Sequence, residues 1–197
     1  MTDHLLTTPG ISSPTLRHRV RLAAVAGLAG AALTFVSWAL LLSDAAPGTT
    51  QWTVASIIGT LAIAGQTIMI TGMIAARETG DGHTGRGFLT LWAVAQTVLV
   101  AGGVVAAVTG STDTVLLPIG AISAALAALV ASVFIAANRR LHGLRRWAPL
   151  AYTLGGVATG FFQGDRHTLQ VNLADLANAL LALLLAVGFL TGQRTDH

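Results

Sequence analysis

The stretch VLLPIGAISAALAALVASVFIAA, residues 115–137, contains no charged side chain and is long enough to cross a hydrocarbon core as a helix. In lipid there is no water to pair with the backbone, so such a run must satisfy its own amides and carbonyls as a helix. Working outward, further runs of the same kind cover 20–43, 53–76, 87–109, 147–162 and 171–191. The expected fold is all-α: a polytopic membrane protein whose 20–192 region is a bundle of six transmembrane helices. A disordered tail, 1–19, with two prolines and several Ser and Thr, is expected before it, and a short tail, 193–197, after it.

Composition agrees. Hydrophobic residues make up 53% of the chain and charged residues 10%, against about 25% charged in a soluble domain. The missing charge is what a lipid-facing surface lacks. All 11 basic residues are Arg; with abundant Ala, Gly and Val this suggests a GC-rich genome and a bacterial inner membrane. The net charge of +3 is no sign of nucleic acid, because the bases sit at the ends of the apolar runs. Cysteine is absent, which excludes disulfides, thiolate metal sites and cysteine nucleophiles. No cofactor or metal motif is present.

Charge also orients the chain. Arg17, Arg19 and Arg21 precede the first run, Arg77 and Arg86 follow the second, and Arg139, Arg140, Arg145 and Arg146 follow the fourth. The intervening loops carry at most one base, so the positive-inside rule puts both termini in the cytoplasm. The first run is too long for a signal-peptide core and is expected to be retained. The Arg segment at 139–146 is first a topology determinant and second a candidate site for anionic lipid headgroups. Trp38, Trp52, Phe161 and Phe162 are expected at the outer interface and Trp147 at the inner one. Small residues mark the packing seams: Ala23, Gly27, Gly30 and Ala31 in the first run, and Gly156 and Gly160 in the fifth, which is expected to be a central helix. Pro118 and Pro149 are expected in the first turns of their helices. No inverted repeat is supported by the polar markers.

Polar groups within apolar runs are costly and carry the information. Asn172, Asp175 and Asn178 recur every third residue and share an arc of about 120° on one helix face. Ala179, Ala182 and Ala186 extend that face, whereas Leu176, Leu180, Leu181, Leu184 and Val187 are expected to face lipid. Asp175 is the one acid within any run, and burial would disfavour its charged form. Arg166 and His167, just before the sixth run, are candidate partners, with Gln163 and Asp165 beside them. Gln66 and Gln96 fall at one depth on neighbouring antiparallel helices and are expected to meet. The loop 77–86 holds carboxylates, a His and three glycines but neither a P-loop nor a zinc-helix pattern, so it reads as a mixed-charge flexible turn.

The functional expectation is small-molecule transport or binding at an outward-facing polar site on the sixth helix, with Asn172, Asp175, Asn178, Gln66, Gln96, Arg166 and His167 as ligand-binding candidates and a small apolar or neutral ligand. Two other readings stand beside it. One is a membrane-embedded enzyme using Asp175 as acid or base on a lipid-soluble substrate. The other is a non-catalytic membrane subunit whose polar groups only fix packing. The sequence fits no named family and leaves the oligomeric state open.

Overall fold

The computed structural model describes residues 14–42, 48–139, 141–160 and 169–192; the side chains of 159, 160, 169–172 and 192 lie outside the described set. The described residues form six helices and no strand: α1 Pro14–Leu41, α2 Thr50–Ala75, α3 His83–Thr109, α4 Leu116–Ala137, α5 Gly143–Gly160 and α6 Leu169–Gly192. Five of them, all but α5, are long and apolar enough to cross a membrane. All the helices but α4 begin earlier than the apolar runs alone indicate. α1 starts at Pro14, within the expected tail, and α5 starts at Gly143. Pro149 therefore lies inside α5 rather than in its first turn, and the Arg145 carbonyl loses its usual helical donor.

Each helix packs on the next in chain order, and α6 returns to α1, so the six close into a ring. Seams between them are built from small residues, as lipid requires when no hydrophobic force drives helices together. On α4, Gly120, Ala124, Ala127, Ala128, Ala131 and Ser132 face inward. Its larger Ile122 and Leu126 are each 63% exposed on the outer surface. The α1 seam is the closest: Ala23, Gly27, Gly30 and Ala31 are all buried. A Cβ on Gly30 would lie 2.7 Å from the Ala62 carbonyl oxygen, and one on Gly65 the same distance from that of Ala26. Exposed leucines, isoleucines and valines wrap the outside, as suits a multi-pass membrane protein.

α5 is a wall of this ring between α4 and α6, not a central helix. Its close approach falls at Gly155, where a Cβ would strike the Leu181 side chain of α6. Leu181 thus packs on protein, against the expectation that it faces lipid; Leu180 and Leu184 do face outward. Trp52 lies in the first turn of α2 and is only 3% exposed, packed on protein; Thr49 caps the helix there by accepting from the Trp52 N–H at 3.2 Å. Trp147 is half exposed, with the Arg146 guanidinium 5.1 Å from its ring centroid. Phe161 and Phe162 lie outside the described residues.

One end of the ring is tied by a buried ion pair. α2 ends with Arg77 in the left-handed conformation, φ 54°. The Arg77 N–H donates to the Ile74 carbonyl at 3.2 Å and the Glu78 N–H to that of Met73 at 3.1 Å, a Schellman closure with Arg where Gly is usual. That turn sends Glu78 inward, where its side chain is 1% exposed. Arg145 reaches it from α5: Nη2 donates to Oε1 at 2.6 Å, and Nε to Oε1 at 2.9 Å and Oε2 at 3.1 Å. Asn138 Nδ2 donates to the Glu78 carbonyl at 2.9 Å. The loop is therefore no loose mixed-charge turn. Arg145 is thus paired with Glu78, and Arg146 Nε donates to the Ala136 carbonyl at 2.6 Å. Arg139 is exposed, and Arg140 lies outside the described residues.

Removing one partner strands the other charge. Glu78→Gln or Arg145→Met alone should destabilise the protein by about 3–5 kcal/mol, and the double variant should recover much of that loss. Thermal unfolding in detergent across the double-mutant cycle measures it; additive losses would show that the two side chains do not act as a pair.

Candidate functional site

The ring is not filled along its whole length. Towards the Glu78 end it is packed by Val20, Met69, Met73, Leu89, Ile135, Leu185 and Phe189. Towards the other end it encloses a cavity of about 510 Å³ to which every helix contributes. α1 supplies Thr34, Ser37, Trp38 and Leu41; α2 supplies Gly59, Ala62, Ile63 and Gln66; α3 supplies Trp92, Gln96 and Leu99. Alanines 121, 124, 125 and 128 of α4, Tyr152, Thr153, Gly156 and Val157 of α5, and Asp175 and Asn178 of α6 complete the wall. Leu41 is the last residue of α1, so the cavity extends to that end of the ring. Trp92 and Tyr152 stack at the deep end, ring centroids 6.4 Å apart and planes at 27°.

Four of the polar residues singled out in the sequence, Gln66, Gln96, Asp175 and Asn178, therefore share one cavity. They do not pair as expected. Gln66 is held by others: the Tyr152 hydroxyl donates to its Oε1 at 3.0 Å, and its Nε2 donates to Thr34 Oγ1 at 3.4 Å. Thr34 in turn donates to the Gly30 carbonyl at 3.0 Å. Gln96, 6% exposed, has a buried Oε1 with no hydrogen-bond partner. The Asn178 Oδ1 is buried and without a partner too, beside Gly156, where a Cβ would come within 3.7 Å of it. The expected Gln66–Gln96 bond is not formed; the Gln66 amide is instead bonded to Tyr152 and Thr34.

Asp175 lies about 9 Å along α6 from its first residue and is exposed, rather than in the buried setting expected of it. The side chain of Asn172, and Gln163, Asp165, Arg166 and His167 entirely, lie outside the described residues. Among the described residues no group of three His, Cys, Asp or Glu side chains could hold a metal ion.

The remaining hydroxyls are turned to the frame. Ser37 donates to the Ala55 carbonyl across α1 and α2 at 3.0 Å. Thr153 donates to the Pro149 carbonyl at 2.9 Å, and its oxygen lies 3.1 Å from Ser132 Oγ. With the Thr153 proton committed, Ser132 is the donor of that bond.

Tyr152 and Trp92 are the site residues that the sequence reading missed. Both carried a signal. Tyr152 is the chain's single tyrosine and falls within an apolar run; Trp92 precedes Gln96 by four residues and so shares its helix face. No protein family, no curated protein and no solved structure matches this chain, so the site is argued from its own geometry.

The two glutamines should respond in opposite ways. Gln66→Leu and Tyr152→Phe each break a bond that holds the wall together and should lower stability by roughly 0.6–1 kcal/mol. Gln96→Leu removes a buried acceptor without a donor and should raise stability by about 1 kcal/mol. Unfolding midpoints in detergent decide this, and loss of stability in Gln96→Leu would mean that its oxygen is satisfied.

Proposed function

We propose that this is a six-span membrane protein with both termini in the cytoplasm, which takes up a small molecule from the outer side into the cavity between its helices. The observation that carries the reading is the cavity itself: open near Asp175, lined from every helix, and holding two buried amide oxygens that no protein group satisfies. A site of several hundred Å³ with an apolar wall and a few convergent polar groups is the usual form of a ligand pocket.

Orientation follows from charge. Arg77, Arg86, Arg139, Arg145 and Arg146 all lie at the end opposite the mouth, which the positive-inside rule makes cytoplasmic. α5, with 18 helical residues, reaches about 27 Å and can serve as the sixth span. In this reading the structure is an outward-open state, and the Trp92–Tyr152 stack closes the inward path. Transport requires that stack to part. The enzyme reading gains little, because the one other titratable side chain in the described lining is Tyr152, whose proton is committed to Gln66.

The chain has no native cysteine, so single cysteines report without background. In intact cells, a membrane-impermeant thiol reagent should label variants Asp175→Cys and Asn178→Cys. It should leave Ala182→Cys unlabelled, since Ala182 is buried outside the cavity. Labelling that appears only after the membrane is opened would reverse the orientation, and protection at 175 and 178 in folded variants would remove the water-filled cavity.

A further inference from the structure

We propose that the cavity binds a neutral molecule with an amide edge, an N–H beside a C=O, on a flat apolar body. This names the ligand class of the cavity described above and rests on its reading as a ligand site.

Two amide side chains of the wall are wholly uncommitted. The hydroxyl protons of Thr34, Ser37, Tyr152 and Thr153 go to the protein's own acceptors, at 2.9–3.0 Å. Gln66 is bonded through both its oxygen and its nitrogen. Asp175 and Trp38 are engaged as well and have no part in the recognition proposed. Gln96 and Asn178 differ. Their oxygens are buried without a partner, and no hydrogen bond to a described residue reaches their nitrogens either. The Trp92 indole N–H, one helical turn from Gln96 on the same face, is in the same condition.

A ligand that satisfies this set must both give and accept. A carboxamide carries an acceptor oxygen and two N–H donors. A pure donor answers the two oxygens and leaves the N–H groups unmet; a pure acceptor does the reverse, and either remainder is costly where water is excluded. An amide edge offers both functions on adjacent atoms, at the spacing that another amide presents. Rotation about the last side-chain bond, which is soft in Gln and Asn, turns either end of each wall amide to the ligand. Gln96 is on α3 and Asn178 on α6, helices that stand across the ring from one another, so the ligand's polar edge lies between them. An ion placed between two neutral amides loses more hydration free energy than it regains, which favours a neutral ligand. The α4 alanines and the Trp92–Tyr152 stack receive a flat apolar body.

The test uses the full-length protein in lipid nanodiscs and four probes of nearly one shape: benzamide, acetophenone, 1-phenylethanol and the benzamidinium ion. They offer in turn an amide edge, an acceptor alone, a hydroxyl, and donors with charge. Binding is read by equilibrium dialysis against empty nanodiscs and by the shift in unfolding temperature. Benzamide should half-saturate at a concentration at least about tenfold below that of each other probe. Gln96→Leu and Asn178→Ala should each narrow that gap, and the folded double variant should abolish it. Equal binding of benzamide and acetophenone, or tighter binding of the alcohol or the amidinium, would overturn the amide proposal and leave the cavity as a binding site. So would a preference for benzamide that survives in the folded double variant. Failure of all four probes would overturn both the proposal and the ligand-site reading.

Discussion

α1 and α2 can touch backbone to backbone only because Gly30 and Gly65 have no side chains; a Cβ at either position would come 2.7 Å from a carbonyl oxygen of the other helix. In lipid such contact must come from close packing, since burying apolar surface brings no gain there. The rest of the ring repeats the device with alanine and glycine on its inner faces and large aliphatic side chains outside. A ring built this way cannot fill its own centre with its seam residues. Met69, Met73, Leu89, Ile135 and Phe189 fill it towards one end. The other end stays open, and the cavity follows from the same small residues that allow the helices to meet.

The two ends are then stabilised by different chemistry. At the closed end a full ion pair, Glu78 with Arg145, joins the end of α2 to the start of α5 across 67 residues of sequence. Such a pair is expensive to desolvate, and that cost offsets much of its Coulomb attraction. Around the cavity, neutral hydrogen bonds cross between helices: Tyr152 to Gln66, Gln66 to Thr34, Ser37 to Ala55, and Ser132 with Thr153. These are weak bonds, suited to walls that must move if a ligand is to pass.

Local pattern made the helices and the α1 seam legible in the sequence, because length, hydropathy and small-residue spacing are properties of neighbouring residues. It also marked Gln66, Gln96, Asp175 and Asn178, since any polar group within an apolar run is conspicuous. Partnership was not legible. The Tyr152–Gln66 bond joins residues 86 apart, and no spacing rule could rank it above Gln66–Gln96. For the same reason the 77–86 loop read as a flexible turn: the buried role of Glu78 depends on an arginine far along the chain and on a left-handed turn at Arg77. Leu181 was misplaced because hydropathy cannot distinguish a side chain facing lipid from one facing another helix.

The measurement that bears most directly on this account is an experimental structure of the full-length protein in lipid nanodiscs, solved at a resolution that shows side chains. The account predicts a closed ring in chain order, with α6 against α1 and open space between Gln96 and Asn178 occupied by water or ligand density. Helices α3 and α6 packed directly together, with Gln96 and Asn178 satisfied by each other or by neighbouring side chains, would contradict it.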